Sequence, residues 1–401
     1  MLVRGRVVSA LEAKKDRFDG YQRVLRDHAN RYQQALERLA SLSRAEIEDC
    51  LAKAGIEWPG ARPTAEHDQV HDAVVCFDQD WSTHEAARAW ARRTLLGQPT
   101  FAVDGSQIPP TTDFSVPVAA IQVAWFENPH APGGQFVKDL TFEVLAPGEL
   151  SGTPEDAAPE NQAGGGFPDT QVNLRRFELE CRTLADYVRS RAGQQPAPVC
   201  FLDGSLVVSF VRHMSPELRR AYIGAVTGLM RASQECRVPL VGYVDTSHAR
   251  DLVAMLGGVF GLPQATHLND GSLLRPHMQW GGRSQVYQCA RDDKVLPLYD
   301  ADVRDVCFTY LKTTGAGNPA RVEFPCWLAG DAAQLERVLD VVRAECVVGN
   351  GYPYALETAD AVAVISQEDR RRFYATFQQF AEREGLALRY SRKALSKQTR
   401  R

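Results

Sequence analysis

The sequence lacks a strong net charge and any long apolar run. Its 401 residues carry a formal net charge of −4, so the chain as a whole is not a basic nucleic-acid binder. No apolar stretch approaches the length that spans a bilayer, and the first residues lack the apolar core of a signal peptide. We therefore expect a cytoplasmic protein that does not bind membranes.

Paired cysteine motifs are also absent. None of the nine cysteines forms a Cys-x-x-Cys motif, which argues against a zinc or dithiol framework. Cys76, Cys200, Cys307 and Cys326 lie in apolar or aromatic surroundings. The sequence therefore predicts buried free thiols in a reducing compartment rather than disulfides.

The hydrophobic pattern is typical of an α/β protein. Helical periodicity dominates residues 1–56, and another helix follows a capping signal at Ser82. The later elements are predicted as strands at 101–104, 116–126 and 136–145, a helix at 172–191, a strand ending at Asp203, a helix at 221–231 and a strand at 239–245. An antiparallel meander followed by parallel strands predicts a ribonuclease-H-like mixed sheet flanked by helices.

The chain divides into three predicted regions. Residues 1–95 form an N-terminal helical region, residues 96–385 form the α/β domain, and residues 386–401 form a basic tail. Within the domain, residues 147–170 are rich in glycine, proline and acids, which predicts an exposed flexible insertion. The tail contains six basic residues and no acid, so it is either a solvated end or an arm that binds phosphates or a partner.

The same short sequence motif ends two of the predicted strands. Phe101-Ala-Val-Asp104-Gly-Ser and Cys200-Phe-Leu-Asp203-Gly-Ser each end an apolar run on an acid. In an α/β sheet, the ends of neighbouring strands form the rim at which ligands bind. Two carboxylates there would make a site for Mg²⁺ or Mn²⁺, although Asp-Gly is also a common turn signal.

A third acid is needed for hydrolysis of a phosphodiester by two metal ions, because such sites use three or four carboxylates. Glu178 and Glu180 are the candidates, since their helix runs directly into the strand that ends at Asp203. Farther along the chain, His248 and Arg250 lie at a predicted helix start, where they could contact phosphate or simply lie on the surface.

The ordered set of motifs resembles the NurA nucleases. The motifs extend from about residue 95 to 385 and comprise Val103-Asp-Gly-Ser, Arg175-Arg-Phe-Glu178, Leu202-Asp-Gly-Ser-Leu, Val241-Gly-Tyr-Val, Arg321-Val-Glu-Phe-Pro and Gly351-Tyr-Pro-Tyr-Ala-Leu-Glu-Thr-Ala. Within that family, the resemblance is to the bacterial type.

The resemblance implies a Mn²⁺-dependent deoxyribonuclease, with Mg²⁺ as an alternative ion and two ions per site. It implies 5′-to-3′ exonuclease activity on single- and double-stranded DNA and endonuclease activity on single strands. It further implies a homodimer that resects DNA ends in recombinational repair together with a hexameric HerA-type ATPase. The chain contains no G-x-x-x-x-G-K-[ST] motif, which agrees with a motor on another chain.

The resemblance also assigns residues. Asp104, Glu178 and Asp203 would be the catalytic metal ligands, with Glu180 as the alternative to Glu178, and Tyr352 would contact DNA or brace a helix start. Two positions depart from the family pattern, because Asp245 and Asp360 stand where many members carry Lys and His. These acids could be extra ligands. Two other interpretations stay open, namely a non-catalytic dimeric DNA-binding adaptor of the ATPase and a nuclease that acts on RNA or junction DNA.

Overall fold

The computed structural model describes residues 2–111, 114–150, 169–386 and 388. The predicted insertion at 147–170 lies mostly outside these residues, as does nearly all of the basic tail. The helices are α1 (Arg4–Glu12), α2 (Lys15–Leu39), α3 (Arg44–Lys53), α4 (His84–Leu95), α5 (Pro147–Leu150), α6 (Thr170–Ser190), α7 (Pro216–Cys236), α8 (Asp251–Phe260), α9 (Asp270–Leu274), α10 (Ala332–Val348), α11 (Tyr354–Ala363) and α12 (Gln367–Arg383).

Eleven strands accompany these helices. They are β1 (Gly60–Pro63), β2 (Val74–Val75), β3 (Thr100–Ile108), β4 (Ala119–Asn128), β5 (Val137–Leu145), β6 (Val199–Asp203), β7 (Leu240–Val244), β8 (Arg283–Ser284), β9 (Tyr287–Ala290), β10 (Val306–Leu311) and β11 (Ala320–Pro325). The predicted N-terminal helical region therefore also contains two short strands. Among the described residues, no helix is both long and apolar enough to cross a bilayer.

The chain forms two compact units that interleave along the sequence. The first unit comprises Met1–Ser82, Tyr243–Pro297 and Arg304–Asp331, and the second comprises Thr83–Gly242, Leu298–Val303 and Ala332–Arg401. The predicted boundary after residue 95 falls inside the second unit. That boundary remains a prediction about where the nuclease-like sequence begins.

The second unit contains the predicted meander. β3 pairs antiparallel with β4, and β4 pairs antiparallel with β5. β6 lies parallel to β3 on the other side, which makes the sheet mixed. Because side chains alternate along a strand, β3 presents one set of residues to α6 and the other to α10 and α11. Phe101 stacks on Tyr187 of α6 at 3.7 Å, whereas Thr100 contacts Glu345 of α10.

β3 is longer than its apolar run suggested. Its pairing with β4 continues without a break from Thr100 to Ile108, so Asp104-Gly105 lies within a strand. The turn interpretation of this Asp-Gly pair is therefore wrong, because β4 supplies the backbone hydrogen bonds that a turn would otherwise have to satisfy.

The first unit is built on an antiparallel sheet. β1 pairs with β9, β9 with β10, and β10 with β11, while β8 pairs with both β2 and β10. β10 and β11 form a hairpin, and β11 contains the Arg321-Val-Glu-Phe-Pro motif. Both strands of that hairpin are buried along their whole length.

A buried ionic network crosses this unit. Asp251 at the start of α8 accepts hydrogen bonds from Arg291 at 2.7 Å and forms an ion pair with Arg321 at 2.8 Å. Asp270 accepts from the backbone N–H groups of Asp251 and Val253 at 2.9 and 3.0 Å, so it satisfies donors at the start of α8. The Asp270-Gly-Ser sequence resembles a common turn signal, but it forms the start of the short helix α9.

Cys307 and Cys326 are joined by a disulfide, with their Cα atoms 4.9 Å apart. The expectation that both are free thiols is therefore wrong. The hairpin provides the reason, because pairing of Val306 with Pro325 brings the neighbouring positions 307 and 326 together. The other two cysteines singled out from the sequence are free, with Cys200 buried and Cys76 exposed.

Candidate metal centre

Two neighbouring parallel strands bring the repeated acids together. β3 and β6 are in register from Thr100 opposite Val199 to Val103 opposite Leu202. The next residue on each strand is Asp104 and Asp203 respectively, so parallel pairing places the two acids side by side. Asp203 is the last residue of its strand and is exposed, whereas Asp104 is half-buried.

A third carboxylate reaches Asp104 from α11. Asp360 lies close enough to Asp104 to raise the pKa of the Asp104 carboxyl group. Burial, with the negative charges of Asp360 and Asp203, raises the pKa of Asp104 to about 6. Asp360 is exposed, so solvent reaches this side of the cluster.

Glu180 approaches from α6, on the other face of β3. The space that the Glu180 carboxylate occupies is open because Gly105 has no side chain. A Cβ at residue 105 would lie 2.4 Å from Glu180 Oε1. Arg176 Nη1 donates to Gly105 O at 2.8 Å and to Glu180 Oε1 at 3.1 Å. The guanidinium therefore fixes the carboxylate against the strand.

The electrostatics of Glu180 confirm that it belongs to this cluster. Glu180 is only 8% exposed. Burial raises the pKa of its carboxyl group to about 7, with further increases from Asp104 and Asp203 and an opposing effect of Arg176. Asp104 and Glu180 thus each lie within range of the charge of Asp203, Asp104 also within range of Asp360, and Arg176 acts on Glu180.

Glu178 lies elsewhere on the same helix. Its carboxylate accepts from Arg175 at 3.3 Å, and Arg175 also donates to Glu143 of β5 at 2.7 and 3.0 Å. Residues two positions apart point about 200° apart around an α-helix, so Glu178 and Glu180 cannot both face β3. The structure places Glu180, the alternative third acid, against Gly105 next to Asp104, whereas Glu178 pairs with Arg175. Which of the two is a metal ligand stays a prediction.

The donor set fits a hard divalent cation. Carboxylate oxygens are the preferred ligands of Mg²⁺ and Mn²⁺. A cation would favour the charged forms of Asp104 and Glu180, which burial and neighbouring negative charges disfavour. Within the described ranges, no three His, Cys, Asp or Glu side chains are already close enough to enclose an ion.

The predicted DNA contacts are distributed over both units. His248 and Arg250 belong to the first unit. They precede the helix rather than form its start, because α8 begins at Asp251. His248 is exposed, whereas Arg250 Nη1 donates to Thr266 O at 3.0 Å. Asp245, also in the first unit, accepts from Thr246 Oγ1 at 3.2 Å. Tyr352 belongs to the second unit, where its N–H donates to Gly349 O at 3.3 Å.

Sequence reasoning missed Glu345 of α10, which joins the two elements that carry Asp104 and Asp360. Its buried carboxylate accepts from Thr100 Oγ1 at the start of β3 at 3.2 Å. It also accepts from the N–H of Ala355 in the first turn of α11 at 2.8 Å. Glu345 therefore positions the strand and the helix relative to each other. No motif marks it, because one glutamate in an amphipathic helix is ordinary.

Glu345→Gln is expected to make the free energy of unfolding less sensitive to rising pH. Burial raises the pKa of Glu345 to about 7, above the ordinary value of about 4.3 for an unfolded chain. The neutral form is therefore favoured by folding, and its stabilising contribution is complete below pH 4 and is lost as the pH rises through 7. Between pH 5 and pH 8, the free energy of unfolding of the variant should therefore increase by on the order of 2 kcal/mol relative to that of wild type.

Urea unfolding at both pH values measures this difference. Glu235→Gln, at an exposed position of α7 in the same unit, is the matched control and should parallel wild type. Identical pH profiles for Glu345→Gln and wild type would show that Glu345 is charged throughout this range.

Comparisons with known proteins add a family and a fold. A family model described as the NurA domain matches residues 98–365. The crystal structure of the NurA nuclease from Sulfolobus solfataricus has a TM-score of 0.53 and 12% identity, covering 96% of this chain and 98% of that chain. At this identity the likeness concerns the fold, and it confirms the predicted mixed sheet flanked by helices. No curated protein matches the chain.

Two further structures are more distant. NurA with manganese has a TM-score of 0.38 and 10% identity, covering 70% of this chain and 89% of that chain. The catalytic domain of human Endonuclease V has a TM-score of 0.32 and 13% identity, covering 78% of this chain and 92% of that chain. Both TM-scores are too low to carry an argument about this protein.

Proposed function

The chain belongs to the NurA family, and on this premise we propose that it is a metal-dependent nuclease whose centre is the carboxylate cluster. The observation that carries this proposal is that parallel pairing of β3 and β6 places Asp104 and Asp203 side by side, with Glu180 and Asp360 near enough to act on the charge of Asp104. Such a concentration of acids costs stability unless a cation compensates it. A site that the fold maintains at this cost is a candidate functional site.

Asp104, Glu180 and Asp203 would hold the divalent ions, Mn²⁺ or Mg²⁺, with Asp360 as a fourth oxygen ligand. When bound, two such ions supply a nucleophilic water at neutral pH and stabilise the charge on the leaving oxygen. Arg176 contributes by holding Glu180 in place through its bond to Gly105 O. Asp203 and Asp360 are both exposed, so a phosphodiester can reach the cluster from solvent.

The finer parts of the proposal follow the family resemblance. We propose 5′-to-3′ digestion of single- and double-stranded DNA and endonuclease cleavage of single strands by a cytoplasmic homodimer. We also propose end resection in recombinational repair together with a hexameric HerA-type ATPase. Binding that relies on phosphate contacts should weaken as salt increases and should depend little on sequence.

Digestion of 5′-labelled and 3′-labelled DNA tests the activity and its direction. Wild type is incubated with single- and double-stranded substrates in Mn²⁺, Mg²⁺ or EDTA, beside Asp203→Asn. We expect cleavage only with a divalent ion and only by wild type, and short labelled products will show the end from which digestion proceeds. If neither ion supports cleavage, even with the ATPase present, the nuclease proposal fails and the adaptor interpretation takes its place.

A further inference from the structure

An exposed aromatic ring lies in the 3₁₀ helix Ser209–His213, a few residues after Asp203. The side chain of Phe210 is 58% exposed, although the residues around it in the chain, Val208 and Val211, are fully buried. More than half of the Phe210 side chain is therefore accessible to a ligand.

Two other rings hold Phe210 in a fixed orientation. Its centroid lies 5.2 Å from that of Tyr222, with an interplanar angle of 86°, and 6.4 Å from that of Phe177, with an angle of 82°. Phe177 and Tyr222 themselves pack together at 5.2 Å. Edge-to-face contacts of this kind are favourable for aromatic pairs. The ring is thus preorganised rather than free to collapse onto the surface.

This aromatic cluster adjoins the carboxylate cluster. Phe177 precedes Glu180 by three residues on α6, and residues at this spacing are neighbours on a helix surface. The hydroxyl of Tyr222 also feels the charges of Arg176 and Glu180, which act on its pKa after the larger effect of burial. The rings that contact Phe210 therefore lie on the helix that carries Glu180 and within range of its charge.

Basic side chains accompany the ring on the same helical turn. Arg212 and His213 are both exposed, and Arg212 Nε lies 3.2 Å from His213 Nε2. Arg219 of α7 donates to the backbone carbonyls of Arg212 and Met214 at 3.1 and 3.2 Å, which fixes this turn. An anchored aromatic ring beside a cationic arginine is a combination that binds single-stranded nucleic acid, since bases stack on the ring and phosphates pair with the guanidinium.

We propose that Phe210, with Arg212 and His213, is a stacking platform for a base of single-stranded DNA next to the phosphodiester that is cut. This proposal rests on the proposed nuclease function and deepens it, because it names the substrate form that the site selects. Duplex DNA keeps its bases paired and stacked internally, so the platform discriminates between single and double strands. Phe210 acts by positioning the substrate and does not touch the reacting atoms.

Binding of a short oligothymidylate that contains one 2-aminopurine tests the platform. The fluorescent base is moved through successive positions, and binding is measured with Mn²⁺ in an Asp203→Asn background to prevent cleavage. We expect quenching of the fluorescence at one or two adjacent positions, because a base stacked on an aromatic ring emits less. Phe210→Ala should abolish this quenching and weaken single-strand binding about tenfold, because the base loses the ring on which it stacks.

Two further variants control the experiment. Phe210→Trp should preserve quenching and affinity. Phe380→Ala removes another exposed ring of the same unit that also has an arginine beside it, Arg383 at 5.6 Å from the centroid, and should change neither. Melting temperatures of all variants establish that they fold.

The outcomes separate this proposal from the nuclease proposal. If Phe210→Ala binds and quenches like Phe380→Ala, the platform is wrong. It is also wrong if Phe210→Ala weakens duplex and single-strand binding equally, or if it affects only binding of a protein partner. A wild-type protein that cuts no DNA with either ion overturns the nuclease proposal, whatever Phe210 does in the binding assay.

Discussion

Glu180→Gln is expected to lower the rate of metal-dependent DNA cleavage about 1,000-fold, whereas Glu178→Gln should remain within about threefold of wild type. A ligand carboxylate supports several kcal/mol of transition-state stabilisation through the ion that it holds, and each 1.36 kcal/mol corresponds to a tenfold change in rate. Glutamine keeps the shape of the side chain but removes the charge. The contrast arises because Glu180 contacts Arg176 beside Gly105, while Glu178 contacts Arg175.

Single-turnover cleavage of a labelled oligonucleotide at several Mn²⁺ concentrations measures both rates. The two variants are matched, since they make the same chemical change two positions apart on one helix. Arg175 keeps its bonds to Glu143, so Glu178→Gln should fold normally. The reverse result, with an inactive Glu178→Gln and an active Glu180→Gln, would support the family-based assignment and contradict the one drawn from geometry.

Gly105→Ala adds a single methyl group, but we expect it to reduce DNA cleavage strongly. The added Cβ would lie 2.4 Å from Glu180 Oε1 and 2.8 Å from Arg176 Cγ, far inside van der Waals contact. Both atoms belong to flexible side chains, so the strand can survive if they move. Movement would carry Glu180 away from Asp104, and we expect cleavage at a fixed Mn²⁺ concentration to fall about 100-fold, as for loss of a residue that orients a ligand.

The dependence of cleavage on Mn²⁺ distinguishes this explanation from a loss of folding. Gly105→Ala should need more Mn²⁺ for half-maximal activity while it still unfolds cooperatively. Gly228→Ala in α7 is the control, because no atom of the described residues lies within 4 Å of the added Cβ, and it should retain activity with a gain in helix stability of up to about 1 kcal/mol. An unchanged Mn²⁺ dependence for Gly105→Ala would show that Glu180 is not a ligand.

Local patterns in the sequence were enough to predict the mixed sheet and the position of Asp104 and Asp203 on neighbouring strands. A strand ending on Asp-Gly-Ser occurs twice, and strands with matching apolar patterns are expected to lie together in one sheet. The order of three β-rich segments, a helix and another strand predicted the mixed arrangement that β3, β4, β5 and β6 adopt. These features are local, since periodicity along the chain encodes which residues face the core.

The different surroundings of Glu178 and Glu180 follow from the tertiary structure, because both residues lie on one helix and their neighbours depend on which face of α6 packs on β3. The absence of a side chain at Gly105 leaves the space that Glu180 fills, and no spacing rule along the chain reveals such a complementary pair. Glu345 and the Cys307–Cys326 disulfide were missed for the same reason. Each depends on residues that are distant in sequence and that meet only when strands and helices are assembled.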